Sequence, residues 1–127
     1  MNNRSVNLIR MDVEGHEVKI LDGIIRDYKQ AKILPIIIFE THLTRYNNEN
    51  NMVKTLSDLF AFGYKVKIAG TSGFRGTKIL QSMGYESIKE VKSDDEIRVV
   101  IENIKNDDAI NLITNTGGLR TVALMKN

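Results

Sequence analysis

Two spacings of apolar residues divide the first half of the chain into five segments. Short, nearly unbroken apolar runs at 6–11 and 36–39 are typical of strands buried on both faces of a sheet. Apolar residues three or four positions apart at 17–29 and 52–60 predict amphipathic helices. A third strand is predicted at 64–70. The order strand, helix, strand, helix, strand predicts an α/β fold with parallel strands and helices on the faces of the sheet.

Residues that typically begin or end strands and helices agree with these boundaries. Pro35 has no backbone N–H, so it is expected at the first residue of the second strand and not within its ladder. The polar loop 46–51 supplies an N-cap for the second helix, and Gly63 is predicted to end that helix.

The last third of the chain has a different pattern. Ser93 and Glu96 have the spacing of a capping box, and the apolar residues that follow predict a helix over 97–104. Two further apolar runs, at 110–114 and 119–125, are separated by the turn residues Asn-Thr-Gly-Gly. These runs predict a C-terminal antiparallel hairpin.

Composition excludes several classes of function. The 127 residues suit one domain, and 42% hydrophobic with 27% charged residues is ordinary globular composition. A net charge of +2 without a basic block, and the absence of Trp, argue against nucleic acid as a partner. The absence of Cys removes disulfides and thiol nucleophiles and suits a reducing cytoplasm. No apolar run approaches the roughly 20 residues that span a bilayer, so no membrane segment is predicted.

Acidic and histidine side chains follow both of the first two predicted strands. After the first strand come Asp12, Glu14, His16 and Glu17, and after the second come Glu40 and His42. In a parallel sheet, ligands bind outside the carboxyl ends of the strands. If the two strands are neighbours, these side chains share one edge and are candidates for a catalytic site.

Each of these positions also has a purely structural interpretation. Gly15 suits a tight turn, and Glu17 suits the first turn of a helix, where the helix dipole favours a negative charge. An acid such as Asp12 at the end of a buried strand is costly unless it is paired, which favours a functional role. His16 and His42 are either general bases or imidazoles that bond a loop carbonyl.

The segments IRMDVEGHEVKILDG and PIIIFETH together resemble the FkbM-type methyltransferases. These are S-adenosylmethionine-dependent enzymes that mostly O-methylate small molecules and sugars. The resemblance covers Val6 to Ala69, with a plausible final strand at Leu119 to Met125. It implies a Rossmann-like class I methyltransferase sheet of which this chain, a single domain of residues 1–127, resembles the second half.

That resemblance also implies roles for individual residues. It implies a loop beside the cofactor formed by Asp12, Val13, Glu14 and Gly15. It implies catalytic positions at Asp12, His16, Glu40 and His42, with a histidine as the base for a small-molecule hydroxyl. The acids could orient that base or hold a divalent metal, but pairing with Arg10, Lys19 or Arg45 is an equal alternative, so no metal ligand is assigned.

The glycine-rich turn for the cofactor's carboxypropyl end and the acid for its ribose, both implied by the resemblance, are not found ahead of Val6. We therefore expect activity to need an N-terminal half or a partner. The apolar strand Val6 to Met11 has only Arg10 to discourage edge pairing, which predicts a homodimer or pairing with another chain through this strand. A non-catalytic, dimerising remnant of the fold is the alternative.

A separate glycine pattern supports a different class of function. Gly70, Gly73 and Gly76 follow the third predicted strand and precede a short helix. This arrangement resembles the dinucleotide-binding turn of the extended short-chain dehydrogenases, in which backbone N–H groups approach a pyrophosphate. The competing interpretation is a flexible loop with Phe74 and Arg75 at its tip.

Overall fold

Strands and helices alternate along the chain, except that two strands follow each other at Ser87–Ser93 and Glu96–Ile104, in a computed structural model that describes residues 6–29, 34–93 and 95–126. The predicted single domain of residues 1–127 therefore includes short stretches outside the described residues. The described part contains six strands, four α-helices and one 3₁₀ turn (Leu43–Arg45). In chain order the elements are β1 (Leu8–Met11), α1 (Glu17–Asp27), β2 (Ile36–Glu40), α2 (Met52–Ala61), β3 (Tyr64–Thr71), α3 (Phe74–Ser82), β4 (Ser87–Ser93), β5 (Glu96–Ile104), α4 (Asn106–Thr114) and β6 (Leu119–Lys126).

All six strands form one mixed sheet in the order β1-β2-β6-β3-β5-β4. Only β1 and β2 are paired in parallel, with Leu8 opposite Ile36 and Met11 opposite Phe39. Strand β6 is antiparallel to both β2 and β3, so β1, β2 and β3 run in the same direction. The predicted direction of the first three strands is confirmed, but β6 lies between the second and the third.

The helices cover one face of this sheet. In β2, Ile37 and Phe39 are fully buried, whereas Ile36 and Ile38 on the other face are half-buried. In β1, Met11 is buried but Leu8 is 53% exposed. The prediction that these strands are buried on both faces, with helices on both faces of the sheet, is therefore wrong. The described helices form a single layer, and the hydrophobic core lies between that layer and the sheet.

Residues 97–104 form strand β5 and not the predicted helix, and β4 and β5 pair as an antiparallel hairpin. Val99, Ile101 and Ile104 are buried beneath the helix layer. The apolar positions of this segment fit both a helical and an alternating pattern, and pairing with β3 on one side decides in favour of the strand. Ser93 and Glu96 flank the hairpin turn instead of capping a helix.

The predicted C-terminal hairpin is also wrong in its first half, because 110–114 lies within helix α4. Two acids, Asp107 and Asp108, occupy the first turn of α4, where the helix dipole favours them. Leu112 and Ile113 are buried on the side of the helix that faces the core. The final strand is confirmed as β6, which forms a central strand of the sheet.

The predicted cap and end of α2 are confirmed, and Pro35 lies outside the ladder of β2. Pro35 directly precedes β2, and the Asn51 side chain caps α2 by accepting a hydrogen bond from the Lys54 N–H at 3.0 Å. Gly63 follows α2 with a φ of 106°, a conformation that favours glycine. No described helix is long and apolar enough to cross a membrane.

In the predicted dinucleotide-binding turn, a side chain at Gly73 or Gly76 would clash with neighbouring atoms, whereas one at Gly70 would meet nothing. A methyl group at Gly76 in α3 would lie 2.3 Å from the Gly118 carbonyl oxygen, so this glycine permits close helix–strand packing. At Gly73 it would lie 2.6 Å from a carboxylate oxygen of Glu96, which occupies the space beside the start of α3. Phe74 and Arg75 begin α3, so the predicted loop tip is wrong.

We predict that Gly76→Ala destabilises the protein by about 2–3 kcal/mol, because the new methyl group clashes with backbone. In an exposed helix the same change would stabilise by about 1 kcal/mol, so the sign of the effect is diagnostic. Gly70→Ala is the control, since a methyl group there meets nothing within 4 Å. Urea unfolding measures both, and a Gly76→Ala variant at least as stable as the parent would contradict the packing described.

Candidate functional site

The carboxyl ends of β1 and β2 bring two of the predicted site residues together. Because these strands are parallel neighbours, Asp12, one residue after β1, and His42, two residues after β2, lie at the same edge of the sheet. The His42 Nε2 atom is 3.3 Å from the Asp12 Oδ1 atom. The predicted shared edge is therefore present for this pair.

The His42 imidazole lies between two carboxylates of unequal burial. Its Nδ1 atom forms a short hydrogen bond with Glu17 Oε1, and the Glu17 side chain is completely buried. The Asp12 side chain on the other side is 53% exposed, and that of His42 is 23% exposed. We call Asp12, Glu17 and His42 the acid–imidazole cluster. One end of this cluster is within the core and the other reaches the surface.

Glu17 is positioned by the turn between β1 and α1. Glu14 and Gly15 have positive φ angles of 49° and 102°, and this reversal starts α1 at Glu17. The helix start favours a negative charge, as predicted, but the carboxylate is also removed from water. A buried carboxylate is costly unless it is paired, and His42 supplies the partner. The second oxygen, Oε2, is buried without a hydrogen bond among the described residues.

Tyr46 holds the backbone of the same histidine. Its hydroxyl oxygen accepts a hydrogen bond from the His42 backbone N–H at 2.9 Å. Burial raises the pKa of the Tyr46 hydroxyl well above its ordinary value, and the nearby Glu17 carboxylate adds to this rise, while the His42 N–H opposes it. Tyr46 therefore remains a neutral phenol at physiological pH.

Asn50 joins the loops that follow β1 and β2. Its side-chain amide donates to the Gly15 carbonyl at 2.8 Å and to the Arg45 carbonyl at 2.9 Å. The Asn47 side chain accepts from the Asn50 N–H at 2.9 Å and closes the turn that presents Asn50. These bonds fix the loop bearing His42 against the loop bearing Asp12 and Glu17.

His16 lies apart from the acid–imidazole cluster. It is exposed at the start of α1, and its ring has no hydrogen bond or ion pair with any described residue. It lines an open polar cleft of about 390 Å³ together with Glu14, Lys19, Arg45, Asn47 and Asn50. A larger groove of about 720 Å³ lies at the other end of the strands, where β3 begins and β5 ends. It contains no histidine.

The remaining predicted site residues have different environments. Glu40 points to the face opposite Phe39, where its carboxylate is 3.8 Å from Arg120 Nε, and no contact joins it to His42. In the predicted cofactor loop, Asp12 and Glu14 are exposed, Val13 packs against the core, and Gly15 is buried beneath the Arg45 side chain. Within the described ranges, no group of three or more His, Asp or Glu has an arrangement that could hold a metal ion.

The sequence favoured a structural role for Glu17, and nothing in it pointed to Tyr46. The signal for Glu17 was present, because it shares the helical spacing of Leu21 and Ile24, both buried. An acid on the buried stripe of a helix needs a partner, and that requirement could have identified it. Tyr46 begins the polar loop 46–51, and no pattern there indicates its contact with His42.

Comparison with protein families decides the assignment. The model for the methyltransferase FkbM domain matches residues 1–87. The chain belongs to the FkbM methyltransferase domain family. The FkbM match includes the whole acid–imidazole cluster, Tyr46 and Asn50, whereas β5, α4 and β6 lie beyond it. No curated protein and no solved structure matches the chain.

We predict that His42→Leu destabilises the protein by about 3–5 kcal/mol, because it leaves the Glu17 carboxylate buried without a partner. Replacing both residues, as Glu17→Leu with His42→Leu, should recover at least half of this loss. His16→Leu is the control and should change stability by less than about 0.5 kcal/mol. Urea unfolding of the parent and the three variants gives these values, and a double variant less stable than His42→Leu would show that the pair is not coupled as described.

Proposed function

We propose that this chain acts as an S-adenosylmethionine-dependent O-methyltransferase on a hydroxyl group of a small molecule or sugar, with His42 as the general base. One observation carries the proposal. The His42 imidazole is held by a buried carboxylate at the carboxyl-end edge of the sheet, within a chain that belongs to a methyltransferase family. This edge is where open α/β sheets bind their ligands.

The geometry suits proton removal from an acceptor hydroxyl. When the imidazole is neutral and its proton lies on Nδ1, it donates to Glu17, and the Nε2 lone pair faces the exposed end of the cluster. S-adenosylmethionine, when bound, supplies a methyl group on a positively charged sulfur. That methyl group would go to the acceptor oxygen, with the bonding electrons left on the sulfur, and His42 Nε2 would accept the hydroxyl proton. The imidazolium is then stabilised by carboxylates at both nitrogens.

The cofactor loop suits only part of the cofactor. The exposed carboxylates of Asp12 and Glu14 are appropriate for a cationic sulfonium or for hydroxyl groups, and we propose that these two side chains contact it. Val13 and Gly15 face the core and the Arg45 side chain, so we propose that they shape the loop. The carboxylate of the carboxypropyl group favours cationic partners, this four-residue loop has no cationic side chain, and we propose that residues outside the loop supply them. The absence of Cys is our reason to propose a reducing, cytoplasmic setting.

Two earlier alternatives have less support. His16 has no group to orient its ring among the described residues, so we assign the base to His42. Nucleotide binding by the 70–76 loop would place a phosphate near the start of α3, where the Glu96 carboxylate lies beside Gly73. The two negative charges would repel each other.

We predict that His42→Gln lowers kcat for methyl transfer about 10²–10⁴-fold, because the acceptor loses its base. The assay follows labelled methyl transfer from S-adenosylmethionine to a panel of monosaccharides and hydroxylated small molecules. His16→Gln is the matched control and should change kcat less than about threefold. Equal losses in the two variants would reject His42 as the base. No heat on calorimetric titration with millimolar S-adenosylmethionine would reject cofactor binding by this chain alone.

We also propose that β1 pairs through its free edge with a strand of another chain or a second copy. Strand β1 ends the sheet, and Val6 and Leu8 are 42% and 53% exposed. The Asn7 carbonyl accepts from the Ile36 N–H. Because alternate residues of a strand face opposite neighbours, the backbone groups of Leu8 face the free edge.

Leu8→Pro should therefore abolish pairing through β1 without breaking a bond to β2, because proline removes an N–H that faces the free edge. Leu8→Ala, which keeps that N–H, is the control and should retain the pairing. Light scattering over a concentration series measures the mass of each variant. A monodisperse monomer of the parent chain at high concentration would count against self-pairing through this edge.

A further inference from the structure

The opposite edge of the sheet is also uncovered. Strand β4 is the last strand in the sheet order and has β5 as its only neighbour among the described residues. Ile88 is 54% exposed and Val91 is 40% exposed, and Ile97 beside them in β5 is 54% exposed. An edge with unpaired backbone groups and exposed apolar side chains is a template for a further strand. Nearly all of β4 lies beyond the region matched by the FkbM family.

We propose that β4 pairs with the β4 strand of a second copy of this chain, in an antiparallel arrangement centred on Val91. A two-fold axis normal to the sheet relates the copies, so each protomer presents the same residues to its partner. With Val91 opposite its own copy, Glu90 of each protomer is opposite Lys92 of the other. The pairing therefore forms one apolar contact flanked by two ion pairs.

Charge selects this register over its neighbours. A two-fold axis normal to the sheet requires that the central residue face its own copy. Centring on Lys89 would place two lysines opposite each other, and centring on Glu90 would place two glutamates opposite each other, which is destabilising. Centring on Val91 removes both repulsions and replaces them with two attractions. The register is fixed by the order Glu-Val-Lys at positions 90–92.

The charges of Glu90 and Lys92 also disfavour pairing with strands that lack the complementary charges. Lysines on an edge strand normally hinder pairing, because they place unpaired positive charge beside an incoming strand. In the proposed register, Lys92 meets a carboxylate. Edge charges of this kind specify the partner more than they add affinity. Glu90 and Lys92 lie on the side of the sheet that carries the helices, because Glu90 is opposite Val99, but both residues are exposed at this edge.

The contact between the two β4 strands is small, so we expect the dimer to be weak. Strand pairing across one short edge buries less than the roughly 1,200–2,000 Å² of a standard stable interface. We therefore expect dimers that form with increasing concentration, with a mass that rises from 14.4 kDa toward twice that value. Dimer formation should weaken at high salt, because the ion pairs are exposed.

Charge reversal tests the register directly. All chains in this test carry Leu8→Pro, so that pairing through β1 cannot contribute to the mass. Glu90→Lys places lysine opposite lysine, and Lys92→Glu places glutamate opposite glutamate, so each of these variants should stay monomeric over the whole concentration series. The double variant, Glu90→Lys with Lys92→Glu, restores opposite charges and should dimerise like the parent. Lys29→Glu, an exposed reversal at the end of α1, is the control and should not change the mass. Light scattering gives the mass, and circular dichroism confirms that each variant is folded.

Three outcomes would overturn the proposal. A parent chain that remains monomeric up to about 1 mM would exclude the dimer. Single reversals that leave the dimer intact, or a double variant that does not recover it, would exclude this register. A parent chain that dimerises while the Leu8→Pro chain stays monomeric would assign the contact to β1 instead. None of these outcomes depends on methyl transfer, so the proposed function is tested separately.

Discussion

The structure at the carboxyl-end edge depends on the pairing of a buried carboxylate with an imidazole. Glu17 opens α1 with no exposed surface, and His42 is the partner that makes its burial tolerable. The turn at Glu14 and Gly15, the Tyr46 hydroxyl and the Asn50 amide all bring or hold these two side chains together. The contact joins an element after β1 to a loop after β2, so it also links the first two strand–helix units of the fold.

That pairing has a chemical consequence. The imidazole has one nitrogen directed into the core and one directed toward the surface, with a carboxylate on each side. The buried Glu17 carboxylate holds one side of the ring, while the outer nitrogen lies beside the exposed Asp12. The proposed proton acceptance at the outer nitrogen rests on this asymmetry of burial. His16 is near this cluster in the sequence, but its ring is exposed and has no partner among the described residues. The two histidines therefore differ in whether a neighbouring group orients the ring.

The single helix layer explains much of the remaining surface. Because the described helices cover one face of the sheet, the strand side chains that point away from them are half-buried or exposed. Both sheet edges, β1 and β4, are also uncovered among the described residues. We propose both edges as pairing surfaces, and their different side chains make them distinct.

The sequence by itself determined the local elements of the first half and the residues at the ends of its strands. Pro35, Asn51 and Gly63 marked boundaries that the structure confirms, and the family was identifiable from the motifs around Asp12 and His42. The tertiary structure alone decided that 97–104 is a strand, that 110–114 is helical and that β6 lies between β2 and β3. Short apolar segments satisfy more than one periodicity, and only their neighbours choose between them. The same reason applies to Glu17, whose role depends on a histidine that lies 25 positions away in the chain.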